Sequence, residues 1–477
     1  MNGHKMGGRD ANFKDFNSFA PFTDEVVKEE GQIALSKLES KKNCILNGSK
    51  EENSFCASLR KKISFKQGGM KGSFFNLIAC TLGIGTTVMP YLALTNGIIL
   101  SSLFTICGAY LCYFCGMLLV SCAEKTGMDK YEEFTSILFG RNISLLVGWF
   151  NTLTLLGYVT SSIVFLKSLI PHVVDEFIGL EQLPEIMNQE TYKGQIFWAA
   201  LYTVMMLLPL SLPRKIGVLR FNAMFGAICT FYLIICITLM LFDAELVPNI
   251  GEAFNNNIVY VKFTFEGIAD GIPFAVFAFM YQQNVPIIYR ELNQKSYRKM
   301  SIVMISGTTF ATFLYIVVSI CGYLEIVGDQ AKIEALRANK SILEVPFDKP
   351  SFKVAKIALM LTVACGTPLC VLPAKDAFEE IYVPGRKLSF KQNIFTTLVM
   401  LLGCFLCAVL IPNIGDAITI FGCTLNPLMG FILPAVFYLK IVEDEKKCMR
   451  ISCYAIIIFI TCLCCWIFYK FCDSKLQ

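Results

Sequence analysis

From about residue 70 onward the chain alternates between long apolar runs and short polar connections. The runs fall at about 73–95, 97–122, 143–170, 194–212, 217–241, 266–288, 303–326, 353–377, 392–411, 414–439 and 450–471. Each is close to the ~20 apolar residues that a helix needs to cross a bilayer core. The pattern predicts an all-α membrane protein with eleven transmembrane helices. Gly and Pro inside several runs do not argue against helix, because neighbours in a bundle satisfy the freed backbone groups. Residues 1–70 follow a different rule: 21 of them are charged, mixed with Ser, Asn and scattered Phe. Such a segment buries too little to order itself, so a largely disordered tail is expected over 1–70, with at most a short helix across 24–41. The membrane domain occupies 71–477. No apolar run precedes the tail, and no cleavable signal peptide is expected.

The Lys and Arg residues orient the spans. With the N-terminus in the cytosol, 23 of them fall in the inner connections and next to the first helix, against 11 on the other side. Positive charge concentrates on the cytoplasmic side of membrane proteins. The N-terminus is therefore expected inside and, with an odd number of spans, the C-terminus outside or luminal.

Composition narrows the classes further. Only 17% of the 477 residues are charged and the net charge is +5. The basic residues sit in short clusters between apolar runs, not in the water-facing stripe that nucleic-acid binding needs. Most of the 21 cysteines lie inside apolar runs, among them Cys107, Cys112, Cys115, Cys404, Cys407, Cys462, Cys464 and Cys465. The three long outer connections contain none, so a disulfide framework or a zinc site is not expected. An enzyme would need a cluster of His, carboxylate or nucleophile at one depth. The only histidines are His4 and His172, and neither falls within an expected run.

Two spans are interrupted. The first reads NLIACTLGIGTTVMPY from Asn76 to Tyr91, with Gly83, Gly85 and Pro90 close together and Thr81, Thr86 and Thr87 around them. These residues weaken a helix near the bilayer midplane. Freed amides there suit an anion such as a carboxylate, aided by the positive end of the following half-helix. Close helix packing through Gly-x-Gly is the equally open alternative. The sixth span, Gly271 to Leu292, carries Pro273, Pro286 and the carboxamides Gln282, Gln283 and Asn284 in an apolar stretch. Three carboxamides at membrane depth must face protein or water. Interrupted first and sixth spans are the mark of two five-helix inverted repeats with a binding site between the breaks.

On these residues the chain resembles the amino acid/auxin permease family of the amino acid–polyamine–organocation superfamily. NLIACTLGIGTTVMP is similar to its first-helix motif, and VFAFMYQQNVPIIYREL (276–292) resembles the sixth-helix motif of the system A and system N neutral amino-acid transporters. VACGTPLCVLPAKDAFEE (363–380), with Pro368 and Pro373, is similar to the eighth-helix motif, and the basic link LPRKIGVLRF also fits. The resemblance covers about residues 71–471.

The resemblance implies a LeuT-like fold of ten core helices plus one and alternating-access transport of a small amino acid, with membrane lipid around the bundle. Thr81, Leu82, Gly83, Ile84 and Gly85 would meet the substrate carboxylate. Phe277, Ala278 and Phe279 would offer backbone carbonyls to the ammonium and ring faces to the side chain. Asn151 and Tyr158 on the third helix would line the pocket, or form interhelical hydrogen bonds unrelated to substrate. No cofactor is implied beyond a coupling ion, H+ or Na+.

The chain departs from the sodium-coupled members at Ala79, where they carry a polar residue, and at Ala364 and Gly366, which replace hydroxyl positions and leave Thr367. Carbonyls at Ala79 and Leu82 supply some ligands, but a sodium ion prefers about six oxygens. Sodium-independent or proton-coupled transport is the expectation, with Asp270 and Asp416 the available titratable groups; both also read as interfacial residues. A transporter-fold sensor signalling through the tail to a cytosolic partner is the alternative. The plasma membrane and a vacuolar or lysosomal membrane both remain open.

Overall fold

Helices account for almost every described residue of the computed structural model, which covers 69–178, 187–188, 191–213, 220–242, 258–382, 388–442 and 447–476. These residues lie within one unit, Lys66–Gln477. The tail reading for 1–68 and most of the basic link 212–221 lie outside them. The first apolar run forms α1 (Met70–Thr81) and α2 (Ile84–Asn96), bent by 58° at the break. There follow α3 (Ile98–Thr126), a short α4 (Tyr131–Phe139), α5 (Arg141–Ile178), α6 (Tyr192–Tyr202, continuing through a π-turn to Ser211) and α7 (Arg220–Met240). The sixth run is split into α8 (Phe265–Ala278) and α9 (Val285–Glu291). Next come α10 (Tyr297–Ile326), the short α11 (Gln330–Asn339), and the eighth run as α12 (Pro350–Gly366) and α13 (Pro368–Tyr382). The chain closes with α14 (Phe390–Leu410), α15 (Ile414–Cys423) bent by 41° from the segment that ends in α16 (Leu433–Ile441), and α17 (Lys447–Leu476).

Among the described residues seven spans, with α12 and α13 counted as one, are long and apolar enough to cross a membrane, or nine with each bent pair also taken as one span. The fifth and sixth runs fall below that test: the apolar part of α7 is Met224–Met240, and α8 and α9 have 14 and 7 residues. The third helix extends past the expected run, through Pro171, so that His172 lies inside α5. Two short helices, α4 and α11, stand where only connections were expected. Both have local causes. Glu132 and Glu133 occupy the first turn of α4, where acidic groups suit the helix dipole. Asp329 caps α11 by accepting hydrogen bonds from the amides of Ala331 and Lys332.

The bundle presents apolar faces outward, as a lipid solvent requires. On α3, Ile99, Leu103, Ile106 and Tyr110 are exposed at spacings of four, three and four, while Cys112, Cys115, Leu119 and Cys122 are fully buried. α17 is the peripheral helix, with Ile451, Tyr454, Ile458 and Phe459 all exposed. The described cysteines are free thiols, and most are buried or half-buried. Buried lysines close helix ends: Lys167 of α5 donates to the carbonyls of Ala408 (2.8 Å) and Ile411 (2.6 Å) at the end of α14. Lys375 of α13 donates to Ser211 O (2.8 Å) at the end of α6. A cation there answers the orphan carbonyls and the negative pole of the helix.

Candidate binding site at two broken helices

The first break follows from Gly83. α1 ends at Thr81, Leu82 turns into an extended conformation, and α2 restarts at Ile84. The first turn of a helix has no preceding carbonyls for its amides. Among the backbone hydrogen bonds of the described residues, Leu82 N reaches Ile78 O and Thr86 N reaches Gly83 O, but Gly83, Ile84 and Gly85 donate to no backbone carbonyl. Three amides thus stand at the positive end of a half-helix, inside the bundle. The carbonyl of Ala79, four residues before Gly83, correspondingly lacks its helical partner. A Cβ built on Gly83 meets nothing within 4 Å.

The second break lies alongside. α8 ends at Ala278, the backbone tightens through Phe279–Tyr281, and a 3-10 turn, Gln282–Asn284, leads into α9. Pro286 is the second residue of α9, in the first turn, where its missing N–H costs nothing. The two breaks touch: a Cβ on Gly85 would lie 3.0 Å from Ala278 Cα and 3.2 Å from its Cβ. Only glycine permits that approach. Of the three sixth-helix residues Phe277, Ala278 and Phe279, Phe277 packs against Tyr158 of α5 at 5.6 Å between ring centroids. Phe279 meets Tyr315 of α10 edge-on at 5.1 Å.

α10 ties the two breaks together. The Tyr315 hydroxyl lies 2.6 Å from Thr81 O and 3.0 Å from Ala278 O, so one donor serves the last carbonyl before each break. One turn along, Ser319 donates to Met89 O of α2 at 3.0 Å, and two turns back Thr308 bonds the Tyr281 hydroxyl at 2.7 Å. These three α10 residues were missed from sequence. Their signal was the spacing of seven and four, which puts Thr308, Tyr315 and Ser319 on one helical face within an apolar run.

Tyr158 is brought beside Phe277 at the second break. The hydroxyls of Tyr158 and of Ser161, three residues on, are buried without a hydrogen-bond partner among the described residues. Asn151 is not brought there. Its amide donates to Glu132 Oε1 of α4 at 2.8 Å, two turns or roughly 10 Å along α5 from Tyr158. Asn151 docks the short helix α4 instead.

The coupling-ion candidates separate likewise. Thr367 sits at the α12–α13 junction, with its hydroxyl and its amide both donating to Val363 O (2.7 and 3.0 Å). Pro368 has no N–H for Ala364 O, which takes the Tyr202 hydroxyl at 3.4 Å instead. Ala79 is half-buried on α1, and the neighbouring Cys80 lies within electrostatic range of Cys370, just past this junction. Asp416 opens α15 and pairs with Lys340 at 3.3 Å, far from solvent at 3% exposure. Asp270 falls within α8, and its side chain lies outside the described residues.

A helical membrane bundle organised around two facing helix breaks defines an all-helical, multi-pass integral membrane protein. Comparison with known proteins makes this particular. Residues 66–472 match the family model described as "Transmembrane amino acid transporter protein". The chain belongs to that family of amino acid transporters. It is 24% identical over 438 residues to the sodium-coupled neutral amino acid transporter 4 of Pongo abelii, with 78% of each chain covered. Among solved structures it is similar to MhsT in complex with L-phenylalanine, with a TM-score of 0.53 at 13% identity, covering 85% of this chain and 99% of that one. This likeness shows that the fold is shared.

Proposed function

We propose that the protein is a secondary transporter of small amino acids that works by alternating access, with substrate held between the α1–α2 and α8–α9 breaks. The observation that carries this reading is the Tyr315 hydroxyl joining Thr81 O and Ala278 O. It holds the two breaks together, with Gly85 against Ala278 at the end of α8. A zwitterion at that depth needs both poles met by fixed dipoles, since an unpaired charge in an apolar interior costs several kcal/mol. The amides take the carboxylate, the carbonyls at the α8 break take the ammonium, and Phe277 with Tyr158 bounds the side chain. MhsT, which shares the fold, is an amino-acid complex, and the curated relative is by name an amino-acid transporter.

In this reading α7 and the α8–α9 pair complete eleven spans, arranged as two inverted five-helix repeats plus α17. The N-terminus is cytosolic and the C-terminus outside or luminal. Transport is sodium-independent or proton-coupled. Ala79 and Leu82 offer only carbonyl oxygens and Thr367 a single hydroxyl oxygen, which is few for a hard cation. Asp270 and Asp416 are the titratable candidates for the proton. Labelled amino-acid uptake into liposomes holding the purified protein tests the proposal: saturable flux supports it, and binding without flux defeats it.

A further inference from the structure

The connection between α10 and α12 carries a carboxyl group that the transport reading leaves unused. After α11 the chain makes one 3-10 turn, Ile342–Glu344, and Ile342, Leu343 and Val345 are fully buried. Glu344 is buried with them. Its Oε2 accepts a 2.7 Å hydrogen bond from the Ser168 hydroxyl of α5. The same oxygen lies 3.8 Å from Nε2 of His172, one turn along that helix. Lys356 of α12, 3% exposed, contributes a nearby positive charge. Three groups from two helices, α5 and α12, therefore face this one carboxyl.

Of the other ionisable groups nearby, Glu325 of α10 is buried with both carboxyl oxygens lacking a hydrogen-bond partner among the described residues, and the rest are paired or exposed. Lys340 pairs with Asp416 and lies over the Tyr91 ring of α2 at 5.7 Å. Lys332 of α11 sits over Phe347 at 5.3 Å and pairs with Asp329, and Lys353 of α12 pairs with Asp348 at 2.8 Å. Asp175, one turn beyond His172 on α5, has an interaction of its own. Glu334 and Arg337 of α11 are exposed.

We propose that Glu344, seated between Ser168 and His172 of α5 and Lys356 of α12, is a proton-binding site that latches this connection onto the bundle when protonated and releases it when ionised.

The sign follows from burial. Desolvation raises the Glu344 carboxyl from 4.5 to about 7, with the Ser168 hydroxyl and Lys356 acting against the rise. Lifted into water, the same group returns to the ordinary carboxylate range. The seated state therefore binds the proton more tightly, so its advantage is complete below the ordinary value and is lost as pH rises through the seated one. Each unit between the two values is about tenfold in the latch equilibrium. The His172 side chain is 28% exposed, which gives protons a route from water to the pair. An imidazolium beside Glu344 favours the ionised carboxylate and so lowers the pH of release.

Hydrogen–deuterium exchange of the full-length protein in lipid nanodiscs reads the latch directly and does not depend on transport. Exchange in 342–347, corrected for intrinsic rates, should rise at least about tenfold between about pH 5.5 and about 8.5. Glu344→Gln, neutral and still able to accept from Ser168, should stay protected throughout. Ser168→Ala removes a donor to the ionised form and should move the release midpoint to higher pH. A wild-type profile without pH dependence, or a Glu344→Gln profile that matches it, overturns the proposal. If Glu344→Gln does not fold, an unshifted midpoint in Ser168→Ala overturns it equally.

Discussion

The Tyr315 hydroxyl stands 2.6 Å from the carbonyl oxygen of Thr81, the last residue of α1 before the first break. A carbonyl at the end of a helix has no amide four residues on to satisfy it. Supplying that donor from another helix makes the break a stable feature and ties its position to α10. The same hydroxyl lies 3.0 Å from Ala278 O, so the ends of α1 and α8 are held to one atom.

Tyr315→Phe removes this donor and keeps the ring against Phe279. Two buried carbonyls then lose a partner, which costs about 1–3 kcal/mol. The expected outcome is a lower thermal unfolding temperature in detergent and reduced uptake in liposomes. Wild-type values of both would show that the breaks are positioned without this bond.

Tyr158 and Asn151 should behave differently although they lie on the same helix. Tyr158→Phe removes a hydroxyl with no hydrogen-bond partner among the described residues, so stability should hold while KM for the amino acid rises several-fold. Asn151→Ala breaks the 2.8 Å bond to Glu132 and should cost about 1 kcal/mol of stability with KM unchanged. The reverse pattern would move the pocket toward α4.

Replacing sodium with choline should leave initial uptake unchanged, because Ala79 carries no side-chain oxygen and Thr367 offers only one, few for a hard cation. A steep sodium dependence would mean that backbone carbonyls suffice for the ion.

Gly85 is a packing position. A side chain there meets the backbone of Ala278 at 3.0 Å, so Gly85→Val should lower stability by about 1–3 kcal/mol as the two breaks are forced apart. Retained thermal stability in this variant would show that the breaks can separate without cost.

Hydrophobic runs made the helices legible, because lipid demands long apolar segments. Gly83 and the carboxamide cluster after Phe279 marked both breaks. Tyr315 stayed hidden: within FATFLYIVVSI one tyrosine reads like any other aromatic, and only the fold shows both carbonyls that it meets. Asn151 reads in the sequence equally as a pocket position or as an interhelical hydrogen bond, and the partner in the second, Glu132, lies on α4, which the hydropathy pattern does not register. The seat of Glu344 joins residues 168, 172, 344 and 356, a separation that no local pattern spans.

The most direct test of the substrate site is labelled amino-acid uptake by Gly83→Val in liposomes, beside a stability measurement on the same preparation. A Cβ at Gly83 meets nothing within 4 Å, so the variant should fold and insert normally. Its branched side chain would cover the amides of Gly83, Ile84 and Gly85 and block the carboxylate. The account predicts a stable protein with uptake abolished. Normal uptake by well-folded Gly83→Val would contradict it.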